Sequence, residues 1–599
     1  MRDPAAQYQQ RLNARQAEER RWSRADARLA YTRLTTFGAA VALGIGAVRG
    51  VSSPWLLLAP AVFFGVLIQI HSRILRKREA AGRAAAFYER GLARIEDRWT
   101  GGGEPGDRFA DDHHPYANDL DLFGRGSLFQ LLSIAATAAG EETLAAWLKQ
   151  PAPREEVLAR QQAVAELTDA LDLREFLARA ALDVRAAVHT EWLLSWAEQP
   201  RVLAPPWLAW VARLFTAAVI VTLVLVMMTG DVRPLLTVLI AQTLFAAPQL
   251  RRIEEVLHRA AAVTRDLETL ARLLSRVESE RFTAPLLGSV QERLQADRIS
   301  ASRAIRRLHW LAEIHDWQHN NVFLMLSLPF LLGTHLAWAI ESWRARNGVR
   351  IRRWLAAAGE FEALMSLSAY RYEHPADPFP EMTPGDDRQA CLEGQALGHP
   401  LLPAAQMVPN DVSLNATTRL LVVSGSNMSG KSTLLRTVGS NAVLAFAGAP
   451  VRAAALRLSP LTIGATLRIQ DSLQEGRSRF YAEITRIREL ADLARGPRPL
   501  LFLLDELFHG TNSHDRLVGA SGVLRSLLER GAIGLITTHD LALTAIADNL
   551  GTHAANVHFE EWFDAGEMRF DYRLKAGRVT RSNALALMRA VGLEVDSDG

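Results

Sequence analysis

Two uncharged apolar runs near the N-terminus, Leu34–Val48 and Trp55–Ile70, interrupt an otherwise charged sequence. Arg49, Gly50 and Pro54 separate them, and the pattern predicts a helical hairpin over about residues 31–72. Each run falls short of the ~20 mostly apolar residues of a spanning helix, with Thr32 and Gly50 available to extend them. Residues 1–30 read as a polar helix rich in Arg, Gln and Glu, and Arg76–Trp99 as a charged helix. Arg20, Arg21, Arg24, Arg28 and Arg33 precede the hairpin, and Arg73, Arg76, Lys77 and Arg78 follow it, while the connecting loop holds one Arg. A membrane hairpin with both ends cytoplasmic fits this charge bias. A second candidate hairpin, over about 211–248, runs Leu214–Met228 and then Pro234–Pro248, with Asp231 and Arg233 in its turn and Arg213, Arg251 and Arg252 outside it. A soluble core is the alternative for each pair. A third uncharged stretch, Val322–Ile340, has basic residues on both sides. Two hairpins return the chain to its starting side, so a further crossing would leave the C-terminal third on the wrong side. A buried helix or an interfacial segment is expected there. The charged N-terminus through Arg28 does not have the form of a cleavable leader, so the first hairpin is expected to be internal.

Elsewhere the pattern is helical from about Asp119 to Gln199, and Arg251–Leu311 is a charged amphipathic stretch with few breakers, expected to form long arms. Gly101–Gly106 is a linker. Trp354–Tyr372 reads as a helix, and Pro375, Pro378, Pro380 and Pro384 mark a boundary. From about Gly398 short apolar runs alternate with helical segments, as in an α/β nucleotide-binding domain. Three segments result: an N-terminal region with its hairpin (1–106), an all-α lever or core domain carrying the second hairpin (107–375), and a C-terminal α/β P-loop NTPase domain (390–599). A chain of 599 residues exceeds one hydrophobic core. Its net charge of +3 and pI near 9.1 are compatible with nucleic acid or anionic lipid and require neither. The single cysteine, Cys391, excludes an intrachain disulfide and fits a reducing cytoplasm.

The densest chemistry lies in Gly425-Ser426-Asn427-Met428-Ser429-Gly430-Lys431-Ser432-Thr433, between the apolar run Leu420–Val423 and the helical pattern from Leu434. This is G-x-x-x-x-G-K-S between strand and helix, the context in which it cradles phosphates. Lys431 supplies a point charge to the outer phosphates of ATP, and the Ser432 hydroxyl a ligand for Mg²⁺. Only four lysines (Lys77, Lys149, Lys431, Lys575) occur among 68 basic residues, the rest being Arg, so a lysine here signals a need for a compact ammonium. Pro499–Leu504 reads as a buried parallel strand ending in Asp505-Glu506. Asp505 is expected to hold Mg²⁺ and Glu506 to orient or activate the attacking water. Gly534–Thr538 is a second such strand, ending at His539, which is placed to bond the transferring phosphate or its water. Gly476–Glu483 opens a helix, where Ser478 either presents a hydroxyl to phosphate or caps the helix.

From Gly398 to Gly592 these motifs resemble the ATPase domain of the MutS family of DNA mismatch-repair proteins. The resemblance rests on His399–Leu402, Val408–Asp411, Asn427-Met428, Gly476–Glu483, Asp505-Glu506, Gly510-Thr511-Asn512, Thr538-His539, Asn556–His558 and Ser582–Leu585. A weaker resemblance to the family's helical core covers Ser127–Phe129, Thr137, Gly140, Leu144, Trp147-Leu148, Pro151 and Arg160-Gln161, and resumes at Glu360, Ala363-Leu364 and Ser366-Leu367. It implies an ATP-gated homodimer in which Ser478 contacts the partner's nucleotide, and the Gly510–Asp515 loop lies at the same interface. It also implies DNA as partner. Phe87-Tyr88-Glu89 fits the family's Phe-x-Glu mismatch reader in letters, but it sits in an Ala/Arg-rich helical stretch without room for the reader's folded domain. The expected protein is a membrane-tethered, dimeric MutS-like ATPase in a multi-pass membrane setting, its ATPase domain cytoplasmic and its arms, with Arg251, Arg252, Arg265 and Arg272, facing DNA. The alternatives are a transporter-type ATPase, against which no Leu-Ser-Gly-Gly-Gln signature occurs, and a membrane scaffold gated by ATP.

Overall fold

The computed structural model describes residues 3–180, 190–203, 205–295, 300–317, 327–384, 390–426, 428–468, 479–508, 513–564 and 567–579. The chain divides into two compact units. One comprises Met1–Ile134, Leu144–Arg179 and Leu364–Gly599, the other Ala135–Thr143 and Ala180–Ala363. This partition cuts across the three consecutive segments read from the sequence, because N-terminal side chains are bound to residues far along the chain.

In the first unit, Asp3 and Pro4 start a helix that runs unbroken from Pro4 to Val48, and the Asp3 carboxylate accepts from the Ala5 and Ala6 amides. The expected polar helix and first apolar run are therefore one element. The return helix, Leu58–Ile95, likewise joins an apolar half to a charged half. The polar halves are locked in place. Tyr8 stacks on Tyr372 at 5.3 Å and meets Tyr88 edge-on at 5.5 Å. Gly91 lies beneath Tyr8, where a Cβ would come within 2.4 Å of the ring, so this close approach requires glycine. Arg94 and Glu373 form a bidentate buried pair, both contacts 2.6 Å, and the Tyr8 hydroxyl donates to the same carboxylate at 3.2 Å. Tyr88 donates to Glu175 at 2.6 Å, which Arg15 also meets at 2.8 Å. Phe87 and Tyr88 are thus core residues, while Glu89 is exposed and accepts from Gln16 at 3.0 Å. The apolar halves are uncovered: Leu34 is 67%, Val48 90%, Trp55 81% and Val62 62% exposed.

The second unit is helical. The expected long arm over 251–311 is three helices, Leu250–Ser279, Pro285–Gln295 and Ala301–Trp317. Pro285 opens the second helix, and Glu278 turns back to accept from the Ser302 amide and hydroxyl and the Ser300 hydroxyl, capping the third. Arg251 and Arg252 are exposed and Arg272 is half-buried; the side chain of Arg265 lies outside the described residues. The second apolar pair forms helices Leu208–Thr229 and Arg233–Ala246. The third apolar stretch is not one helix. Its start lies outside the described residues, Leu328–Leu331 make a turn, and from Leu332 it belongs to a helix continuing to Glu373, which absorbs the expected Trp354–Tyr372 element. Polar groups of the hairpin hold that turn: Gln242 donates to the Leu328 and Pro329 carbonyls (3.0 and 3.1 Å), and the Thr216 hydroxyl lies 2.9 Å from His335 Nε2. Backbone freed by proline is thereby satisfied within an apolar setting.

The C-terminal part of the first unit holds two sheets. The smaller, in order β1 (Glu381–Met382), β5 (Ala455–Leu458), β2 (Leu392–Leu397) and β3 (Asn410–Leu414), begins upstream of the boundary expected near 390. The larger runs β10 (Glu567–Ala576), β9 (Ala554–Asp564), β4 (Leu420–Ser424), β8 (Ile533–Thr538), β7 (Leu500–Leu504) and β6 (Thr462–Thr466). All its pairings are parallel except β9 with β10. Every residue of β4, β7 and β8 is buried, as continuous apolar runs require.

One buried carboxyl makes a testable prediction. Glu362, in the second unit, is 2% exposed and accepts from the Thr137 amide (3.0 Å) and hydroxyl (2.8 Å) at the start of helix Ala138–Lys149. Burial pushes its pKa up to about 7. A carboxyl with a raised native pKa binds more protons folded than unfolded, so stability falls as pH rises from its ordinary value, near 4.5, through 7. Glu362→Gln is expected to remove roughly 3 kcal/mol of that pH-dependent loss, read as a flatter profile of denaturant midpoint against pH. Parallel profiles for the two proteins would exclude it.

Candidate functional site

The site is assembled by strand register. β8 lies between β4 and β7, pairing Ser424 with Thr538 on one side and Leu504 with Ile536 on the other. The chain leaves all three strands at the same edge, the carboxyl ends where ligands gather in such sheets. The phosphate loop therefore leaves β4 beside Asp505-Glu506, which leaves β7, and beside His539, which leaves β8.

Gly425 and Gly430 have φ of 153° and 102°, and Met428 is also left-handed at 73°. Helix Lys431–Ala447 starts at Gly430 with no side-chain cap, so its first amides are turned to the loop without a competing oxygen. A Cβ on Gly425 would meet the Ser429 hydroxyl at 2.7 Å, and that buried hydroxyl has no hydrogen-bond partner among the described residues. Lys431 is 5% exposed, and its ammonium folds back on the loop, donating to the Gly425 and Ser426 carbonyls at 2.9 and 2.7 Å. Burial lowers its pKa, opposed by Glu506, Asp505 and Glu561. The Ser432 hydroxyl donates to Asp505 at 2.6 Å. Asp505 accepts also from the Thr537 hydroxyl, which in turn accepts from the Glu506 amide at 3.1 Å. His539 Nδ1 lies 3.2 Å from Glu506.

The turn after β7 is strained. Glu506 and Phe508 have φ of 47° and 56°, left-handed values costing about 1–3 kcal/mol each outside glycine. Two side chains clamp it: Glu483 accepts from the Phe508 amide, and Arg516 donates to the Phe508 carbonyl at 3.1 Å. A cavity of about 680 Å³ opens beside the loop, lined among others by Lys431, Ser432, Glu506, His399, Phe559 and Tyr572. His399 is kept neutral there, its pKa lowered to about 4 by burial. Asn410 fixes the β10 end of the cavity, donating to the Tyr572 carbonyl and accepting from the Leu574 amide.

Of the residues expected to act, Gly425, Ser426, Met428, Ser429, Gly430, Lys431, Ser432, Thr433, Asp505, Glu506 and His539 come together here. Asn427, Ser478, the Gly510–Asn512 loop and the Ser582–Leu585 tail lie outside the described residues. Thr537, Arg516 and Tyr572 were not found from the sequence. Thr537 hides inside an apolar strand, Arg516 is one of many arginines, and Tyr572 reaches the cavity only through the β9–β10 pairing.

The donor set suits a phosphate-bound cation: a hydroxyl and a carboxylate 2.6 Å apart, an ammonium, an unpartnered Ser429 hydroxyl and an uncapped helix start converge. Fold and site define a P-loop nucleotide-binding domain on a parallel sheet. Residues 421–595 match the family described as MutS domain V. The chain is 37% identical over 197 residues to "Endonuclease MutS2" of Thermus thermophilus, covering 33% of this chain and 25% of that protein. It is 33% identical over 255 residues to "DNA mismatch repair protein MutS 2" of Halobacterium salinarum, covering 42% and 29%. A similar match, 36% over 206 residues, covers 34% of this chain and 25% of "Endonuclease MutS2" of Thermomicrobium roseum. The chain thus spans between a quarter and a third of the length of these relatives.

Thr537→Val tests the geometry. It keeps the volume but leaves the Glu506 amide without its acceptor and Asp505 without one of its two hydroxyl donors, Ser432 remaining. The expected cost is about 1–3 kcal/mol in urea unfolding, and an unchanged midpoint would refute the clamp.

Proposed function

We propose that the chain is an ATP-binding and ATP-hydrolysing MutS-like protein, tethered to a membrane and working as a nucleotide-gated homodimer on DNA. The observation that carries hydrolysis is the convergence of Lys431, Ser432, Asp505, Glu506 and His539 at three adjacent strand ends. In this reading the loop amides and Lys431 bind the β- and γ-phosphates. The ammonium exchanges two neutral carbonyls for phosphate oxygens, a gain because charge-assisted bonds are stronger. Ser432 and Asp505 would hold Mg²⁺, which when bound neutralises developing charge on the phosphates. Glu506 orients the attacking water and accepts its proton, and His539, 3.2 Å away, positions that carboxylate. His399, Phe559 and Tyr572 provide a neutral, partly aromatic wall suited to a purine. Ser478 of a second copy is the proposed trans contact to the phosphate.

Membrane tethering is supported by the uncovered apolar hairpins. Helical segments Trp55–Ile95 and Leu208–Thr229 contain windows of mean hydropathy 1.7 and 2.4, of which only 6% and 17% is buried. A core helix of a soluble protein would be mostly covered. The 22-residue segment is about 33 Å long, matching a hydrocarbon layer of ~30 Å. DNA as partner is supported by the name of the Halobacterium salinarum relative, a DNA mismatch repair protein, and by exposed Arg251 and Arg252.

Lys431→Ala is expected to abolish nucleotide binding, whereas Glu506→Gln binds ATP with near-normal affinity and turns over at least ~100-fold more slowly. Turnover at the wild-type rate in both variants, measured by phosphate release, would refute the site. Duplex, mismatched or branched DNA should raise that turnover; stimulation by lipid or a transported solute instead would favour the scaffold or transporter alternative. The full chain should stay with membranes in high salt and dissolve only in detergent; complete release by salt alone would refute the tether.

A further inference from the structure

Apart from Arg33, which packs over Phe64, the arginines of helix Pro4–Val48 fall into two groups. Arg11 and Arg15, near its start, are spent on carboxylates: Arg11 meets Asp172, and Arg15 meets Glu18 and Glu175. Arg20, Arg21, Arg24 and Arg28, nearer the apolar half, are all exposed, and none has a carboxylate partner among the described residues. Carboxylates are close in sequence but turned elsewhere. Glu18 serves Arg15 and Arg179, and Asp26 serves Arg78 and His71 on the returning helix. The four arginines recur at helical spacing along one stripe, and Ala17 and Ala25 between them leave a concavity of about 490 Å³ lined by these six residues. Like charges at i,i+4 oppose a helix, so the stripe lacks an internal stabilising role.

The stripe's position says which anion it suits. At 1.5 Å per residue, Arg28 stands about 9 Å and Arg24 about 15 Å along the axis from Leu34, where the exposed apolar surface becomes continuous. A headgroup layer is about 5–8 Å deep and the surface potential of anionic lipid extends a further ~8 Å, so Arg28 stands at the outer edge of the headgroups, Arg24 within reach of the potential, and Arg20 and Arg21, about 20 Å out, reach toward it through their long side chains. On the adjacent return helix Arg73 and Arg76 are also exposed, and Lys77 packs over Trp22 at 4.5 Å.

Resting on the membrane reading above, we propose that Arg20, Arg21, Arg24 and Arg28 form a binding surface for the phosphate headgroups of anionic phospholipids, so that the hairpin selects an anionic lipid neighbourhood. A nucleic acid is disfavoured because a polyanion lying on this stripe would abut Tyr31, Leu34 and Phe37, which are 72%, 67% and 59% exposed.

The test uses the full chain reconstituted in phosphatidylcholine vesicles with trace spin-labelled phosphatidylglycerol or phosphatidylcholine, comparing wild type with the Arg20→Gln/Arg21→Gln/Arg24→Gln/Arg28→Gln variant. Wild type should favour the anionic label by about fivefold or more, in a salt-dependent way, and the variant should approach no preference while remaining inserted after carbonate washing. Intact insertion with unchanged preference overturns the proposal and leaves the tether standing. Release of the wild type by carbonate overturns both. Duplex DNA binding that is lost in the variant, with lipid preference retained, assigns the stripe to nucleic acid instead. Helix content of the variant by circular dichroism should equal that of wild type, since the stripe's internal contacts are confined to one helix: Arg20 donates to the Gln16 carbonyl and Arg21 packs over Trp22.

Discussion

The parallel pairing of β8 with β4 on one side and β7 on the other is the constraint on which the candidate site depends. It puts three chain exits at one sheet edge, so that Ser432 reaches Asp505, and His539 reaches Glu506, by short side-chain bonds. A one-residue slip of β7 would turn Asp505 from Ser432 and Thr537 and bring Leu504 or Glu506 in its place. The strain at Glu506 and Phe508 is tolerable because that register, together with Glu483 and Arg516, overdetermines the turn. The site is thus a property of a packed sheet more than of its loops.

Much of this was legible in the sequence because it is local. The phosphate loop, the apolar strands before Asp505 and His539, and the two apolar hairpins each declare themselves within about twenty residues. What escaped was non-local or concealed. Thr537 looks like one more strand residue. Tyr8, Tyr88, Arg94 and Glu373, which bind the N-terminal helices to the approach to the sheets, lie up to 365 positions apart. For that reason the expected boundaries at 106 and 375 do not follow the compact units. Helix length was misjudged in both directions. Leu332–Glu373 is longer than its apolar pattern announced, because its polar and apolar stretches share one backbone, whereas Pro285 and the cap made by Glu278 divide the expected arm.

Charge is used with similar economy. In a chain that relies on Arg for nearly all its cations, the buried Arg94 is matched bidentately by the Glu373 carboxylate, the arrangement that offsets desolvation. Lys431 is held by carbonyls instead, which a phosphate can displace. The two treatments separate permanent fastening from exchangeable binding.

The helix from Pro4 to Val48 is fastened near one end and bare toward the other. Between Tyr8 and Val48 it extends about 60 Å, so a tilt of about 5° at the Tyr8–Glu373 fastening sweeps the far end through about 5 Å. Sub-ångström adjustments beside residue 373 are therefore magnified at the hairpin tip. In the opposite direction, whatever restrains the tip gains mechanical advantage over the fastening.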